Sequence, residues 1–270
     1  MTELTELMAS MVNYETTQDG FLNLLKQWLY DVCTKIAFKF GLITSTGIPK
    51  RAFVLDTLLR FSCRGCIFKV LSNPLADTRA DAIYIENHRL AVSLLIEGLR
   101  QTFENNGVNV GIKQEVSGGV YGRPDLVVKP TNAGILIEGA NFEVIVEVKT
   151  GSGFTYAQLI RYLLERPNSI GVIWRIPQNQ LIVLDPKKHS HLINLCVLAA
   201  IKRGLDILDG KFEDCSHTPL SNKCSEIENV QELVEKFLKS LETSLPKAIK
   251  TICELVQANL ETDHNSNSKE

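Results

Sequence analysis

The spacing of apolar positions divides the chain into a helical beginning, a strand-rich middle and a helical end. Phe21, Leu24, Leu25, Trp28, Leu29, Val32 and Ile36 recur at three- and four-residue intervals, which predicts a helix closed by Gly41 and the Gly47-Ile48-Pro49 turn. A shorter helix is predicted over 50–59, running into Cys63-Arg64-Gly65-Cys66. A long one over 85–105 is stopped by Asn105-Asn106-Gly107. From 108 onward the period falls to two, predicting strands at 108–116, 125–128 and 143–149, with Gly118-Gly119 and Pro130 as breaks. The stretch 134–138 is expected to form a hairpin with 143–149. A helix at 155–165 closed by Pro167, strands at 170–176 and 180–184, and a helix at 191–208 follow. A polar connector, 211–224, leads to a helical pair split by Pro246. The last ten residues hold no apolar side chain and are expected to be disordered.

Helix, strands, helix and further strands is the order of an α/β core with helical additions at both ends. The expected organisation is a helical region at 1–60, a core at 61–225, a helical pair at 226–260 and a tail at 261–270. No internal repeat is visible. Composition narrows the class only coarsely. Of 270 residues, 44% are hydrophobic and 22% charged, which excludes a collagen-like repeat, a coiled coil and a mostly disordered chain. The 29 Lys and Arg against 31 Asp and Glu leave a formal charge of −2, so a nucleic-acid partner has to be argued from a local site. The acid-bearing start is not a signal peptide, and no apolar run is long enough to span a membrane. A cytoplasmic, reducing setting is therefore expected, where clustered thiols more often bind metal than pair.

Chemistry concentrates between Tyr121 and Tyr162. Along 143–149, Val144, Val146 and Val148 point one way, and Glu143, Ile145, Glu147 and Lys149 the other. Glu147 and Lys149 thus share a face at a strand end, and the Thr150-Gly151-Ser152-Gly153 exit is expected to leave that end accessible. Asp125 opens another predicted strand. Carboxylates of this kind suit Mg²⁺ or Mn²⁺, and a lysine beside them can orient water or neutralise phosphate charge. A solvated pair on an edge strand is the plainer alternative. Over 155–165, Gln158 and Tyr162 share a polar stripe with Arg161 and Glu165, opposite Leu159, Ile160, Leu163 and Leu164. That stripe would suit a nucleic-acid strand. On the long helix, His88 and Glu97 are the candidates for a further ligand. Nine residues place them about 180° apart. His88 lies with Val92, Leu95, Ile96, Leu99 and Phe103, whereas Glu97 lies with Arg89, Ser93, Arg100 and Glu104, so His88 is expected to face the sheet. A core histidine bonded to a backbone carbonyl is the alternative there.

Pro124-Asp125, Glu147-Val148-Lys149 and Gln158-x-x-x-Tyr162, in that order, resemble the PD-(D/E)XK nuclease superfamily. The Gln-x-x-x-Tyr element is similar to its RecB-like branch, which includes CRISPR-associated RecB-like exonucleases. The resemblance covers roughly 60–225. It implies a restriction-endonuclease-like α/β core and a divalent-metal-dependent deoxyribonuclease. His88, Asp125, Glu147 and the Val148 carbonyl would hold Mg²⁺ or Mn²⁺, Lys149 would position water, and Gln158, Arg161 and Tyr162 would hold DNA. It also implies an exonuclease acting on single-stranded DNA ends in CRISPR adaptation, repair or mobile-element defence, with CRISPR or repair proteins as partners. A junction-resolvase-like endonuclease and a catalytically silent nucleic-acid-binding scaffold are the rival readings.

Some RecB-like exonucleases hold a 4Fe-4S cluster with one cysteine before the core and three after it. Here Cys63 and Cys66 precede the core and Cys215 and Cys224 follow it, a two-plus-two split that departs from that pattern. The set is compatible with a cluster, with Zn²⁺ or with ordinary thiols. Cys33, Cys196 and Cys253 sit among apolar helical neighbours and read as small core residues. No phosphate-binding glycine loop is present.

Overall fold

The computed structural model describes residues 18–73, 82–114, 124–132, 135–136, 142–151, 156–166, 168–211 and 230–267. Four helices come first: α1 (Gln18–Lys39), α2 (Arg51–Arg60), α3 (Arg64–Ser72) and α4 (Ala82–Asn105). Strands β1 (Val110–Gln114), β2 (Leu126–Asn132), β3 (Ile135–Leu136) and β4 (Glu143–Lys149) follow, then α5 (Ala157–Glu165), β5 (Ser169–Arg175), β6 (Gln180–Leu184), α6 (Pro186–Leu208) and α7 (Val230–Asn267). The α/β class read from periodicity is the class observed.

The sheet runs β1-β2-β4-β5-β6, with β4 parallel to β5 and the other neighbours antiparallel. Its centre is β4, where Val144, Ile145, Val146 and Val148 are all buried, as a strand covered on both faces requires. Alternation sends Val144, Val146 and Val148 into a core shared with α4 and α7. Ile145 enters a second core with α1, α2, α3, α5 and α6. The parallel β4–β5 pair needs a crossover, and α5 supplies it. Gly171 on β5 lets α5 sit close, because a Cβ there would lie 2.4 Å from Leu159 Cδ1.

The structure departs from the sequence expectations in four places. The stretch around Ile135 pairs with β2, not β4, through Thr131↔Leu136 and Asn132↔Ile135. Pro130 does not end its strand; it lies opposite Val110 inside β2. The neighbouring Thr131 N–H donates to Asn109 on the β1 side, so Pro130 nitrogen faces the β4 side, where pairing stops at Val128 and no donor is called for. The C-terminal helical pair is one helix with Pro246 inside it, and that helix continues to Asn267 through part of the expected tail. An interior proline costs about 3 kcal/mol. Burial of Phe237, Leu241, Ala248, Ile252, Cys253 and Val256 offsets it, at about 1.5–3 kcal/mol for each large side chain. Finally, α6 begins at Pro186 rather than His191. Asp185 caps it by accepting from Lys187 N–H at 3.0 Å, and the helix kinks at His189, whose ring nitrogen bonds the Asp185 backbone.

Among the described residues no helix is long and apolar enough to cross a membrane.

Candidate active site

Antiparallel pairing of β2 with β4 sets Leu126 against Val146, so one step further on Asp125 and Glu147 stand side by side at the sheet end. The Val148 backbone N–H donates to Asp125 Oδ2 at 2.7 Å, which fixes that carboxylate against the end of β4. A strand residue turns its N–H and its carbonyl to the same neighbour, so the Val148 carbonyl also lies on the Asp125 side. His88, from the second turn of α4, reaches the same oxygen from the other layer, with Nε2 at 3.1 Å from Asp125 Oδ2. This is the face assigned to His88 by the helical wheel. Glu97 instead lies exposed and accepts from Gln101 Nε2 at 2.7 Å.

Glu147 differs from the sequence expectation. It is not an accessible strand-end carboxylate but only 3% exposed, because α5 covers the face on which it lies. Lys149 Nζ donates to Glu147 Oε1 at 2.7 Å and also to Gln158 Oε1 on the first turn of α5. The other carboxylate oxygen, Oε2, is buried without a hydrogen-bond partner. Burial, reinforced by the negative charge of Asp125, holds the Glu147 carboxyl well above the usual carboxylate range, against the pull of Lys149 and Arg161. The hydrogen bond to Asp125 raises the His88 pKa, against the opposing effect of its partial burial.

Helix α5 corrects a second expectation. Its polar stripe is not open to a strand along its length. Gln158 stays partly exposed, but Arg161 and Tyr162 are buried at 8% and 3% exposure. Arg161 turns away from solvent toward α2, donating to the Ala52 carbonyl at 3.3 Å and lying 3.7 Å from Asp56 Oδ1. Its guanidinium carbon is 5.6 Å from the centroid of the Tyr162 ring. Burial and the charge of Glu147 push the Tyr162 phenol far up, so it stays protonated. The physical reason is that α2 packs over α5, so the arc that an isolated helix would show to water here meets another helix. Asp56 was missed from sequence. Its only signal there is a lone acid directly after the apolar run Ala52-Phe53-Val54-Leu55.

Among the described residues no three His, Cys, Asp or Glu side chains are drawn together as a metal site. His88 and Asp125 bond to each other, and Glu147 to Lys149. The residues nevertheless suit a hard cation. Hard oxygen donors and an imidazole converge on one strand end, and one buried carboxylate oxygen has no partner. Cys63 immediately precedes α3, and Cys66 lies in its first turn, buried. Cys215 and Cys224 lie outside the described residues. No family model, curated protein or solved structure matches the chain.

Proposed function

We propose that this protein is a divalent-metal-dependent deoxyribonuclease of the PD-(D/E)XK type, RecB-like in its Gln-x-x-x-Tyr element. The observation that carries the reading is the buried, partnerless Oε2 of Glu147 beside Asp125, with Lys149 held one residue pair further along the same strand face. An unpaired buried carboxylate oxygen is costly, and a cation is the partner that best relieves it. His88 Nε2, Asp125, Glu147 and the Val148 carbonyl are the groups that would hold Mg²⁺ or Mn²⁺. When bound, such an ion polarises a phosphoryl oxygen and makes water a better nucleophile.

The chain's own residues supply the rest. Lys149 carries three N–H donors, two of them spent on Glu147 and Gln158, which aims the ammonium at the strand end. From there it orients the attacking water and neutralises charge growing on the phosphate. Of the three α5 residues Gln158 would touch substrate, a role supported by its partial exposure where Arg161 and Tyr162 are buried. The near-neutral overall charge favours a local grip on a strand end over a broad basic surface. On the resemblance, single-stranded DNA ends are the proposed substrate, and repair, CRISPR adaptation or mobile-element defence the proposed settings. A thiolate-held cluster or zinc through Cys63, Cys66, Cys215 and Cys224 remains part of this proposal.

The test is cleavage of end-labelled single- and double-stranded DNA with Mg²⁺, Mn²⁺ or EDTA. Metal-dependent shortening of labelled single strands is the expected result. No cleavage with either ion, or undiminished cleavage in EDTA, overturns the reading.

A further inference from the structure

The resemblance would give the arginine between the two motif residues of α5 a hold on DNA, but its burial does not suit a DNA contact. Arg161 is buried, and its Nε has no hydrogen-bond partner. Its Nη1 donates to the Ala52 carbonyl and faces Asp56 Oδ1. The other oxygen of Asp56 accepts from Arg60 Nη2 at 2.6 Å, within α2. On its opposite side the guanidinium lies by the ring of Tyr162, a cation–π arrangement. Its positive charge also acts on Glu147, in the same sense as that of Lys149. Contacts thus run from α2, outside the proposed catalytic core, through Asp56 and Arg161 to Tyr162, and the charge of Glu147 is felt at both Arg161 and Tyr162.

We infer that Arg161, beside Asp56, is a positioning residue that ties α2 to α5 and holds Tyr162 and the α5 face that covers Glu147, rather than a residue that grips nucleic acid. This rests on the nuclease reading. Three alternatives differ in what they move. A strand contact would raise KM and weaken DNA affinity. A merely structural bridge would lower the melting temperature and leave kcat per folded molecule alone. A positioning residue lowers kcat with affinity kept, because misplacing a group by about 1 Å costs about 100-fold in rate.

The experiment compares wild type with R161M, R161K and D56N. It measures kcat and KM for labelled single-stranded DNA, anisotropy binding of a fluorescein-labelled single-stranded oligonucleotide in EDTA, and thermal melting. R161M is expected to lose about 100-fold in kcat with oligonucleotide affinity unchanged. R161K, which keeps the charge but not the planar fork, should recover part of that loss. D56N, nearly isosteric and remote from substrate, should lose about tenfold in kcat, and the D56N/R161M double variant should lose no more than R161M alone. Weaker oligonucleotide binding by R161M, or kcat losses in the two variants that multiply, overturns the inference while wild-type cleavage leaves the nuclease reading standing. A wild type that cleaves nothing removes that reading and the catalytic half of the inference with it. Melting losses in R161M with kcat per folded molecule unchanged mark a structural bridge and overturn the positioning role.

Discussion

Strand β4 carries a buried glutamate near each end, on the same face, and the two are treated in opposite ways. Glu143, at the start, is surrounded by donors. Lys129 Nζ lies 2.7 Å from Oε2, and Oε1 accepts from Arg166 at 2.7 Å and from the Ser169 hydroxyl at 2.9 Å. Burial pushes its pKa up, but those partners outweigh burial and hold the carboxyl below its ordinary range. Neither Oε2 accepts a hydrogen bond, but that of Glu143 has the Lys129 ammonium beside it, whereas at Glu147 the one lysine engages Oε1 and a neighbouring carboxylate adds negative charge. There burial wins and the pKa rises. Deeper burial and weaker compensation at Glu147 separate it from Glu143, which ties strands together, and single it out as the acid proposed to hold the cation.

The largest contrast should appear in turnover. E147A and D125A are expected to lose on the order of 1,000-fold or more in DNA cleavage. E143A should cleave at near the wild-type rate per folded molecule. Steady-state rates normalised to folded protein decide it, and equal losses at both glutamates would erase the distinction.

Next comes metal-linked stability. Saturating Mn²⁺ should raise the melting temperature of wild type and E143A. A ligand at 100 times its Kd stabilises by about 2.7 kcal/mol. E147Q and D125N should lose most of that increment in differential scanning calorimetry. Retention of the full shift by E147Q would move the cation elsewhere.

Without metal the order reverses. E143A removes the partner of two cations that are partly solvated, a loss of about 2 kcal/mol in urea unfolding. E147Q removes a charge that the fold leaves under-compensated, and is expected to change stability by less than about 1 kcal/mol. If E147Q proved the more damaging of the two, the under-compensation of Glu147 would be refuted.

The smallest effect is on acid stability. Because the folded pKa of Glu143 is depressed, its contribution is fully present above the unfolded value of about 4.3. It is lost as pH falls through the lower folded value. Below about pH 4, E143Q should therefore lose stability less steeply than wild type, and parallel acid limbs would contradict the shift.

How much of this was legible in the chain depends on whether the signal was local. Strand alternation sufficed to put Glu147 and Lys149 on one face, and the helical wheel sufficed to turn His88 inward and Glu97 outward. The meeting of Asp125 with Glu147 followed once two strands were expected there, since antiparallel neighbours bring a strand start to a strand end. Burial was not legible. Whether the polar arc of α5 meets water or α2 depends on packing between elements more than a hundred residues apart, so Arg161 and Tyr162 read as exposed. The Asp185-Pro186 start of α6 was a local signal, a cap followed by proline at the first helical position, and it was overlooked beside the more apolar run from Leu192. Pro246 misled because propensity was set against tertiary burial that the sequence alone does not display.

The direction of β2 and β4 has one further consequence. The chain leaves the site along β2 and comes back to it along β4, and seven extended residues carry it about 23 Å from Asp125 before it turns. Residues added to the connection between Leu136 and Glu143 would therefore enter at the sheet end away from Asp125, at little cost because loop entropy grows only slowly with length. Residues added to the connection between Lys149 and Gln158, whose side chains bond each other, would enter beside the candidate site. An epitope or fluorescent reporter inserted at the first would report on the protein, while the same insertion at the second would rebuild its chemistry.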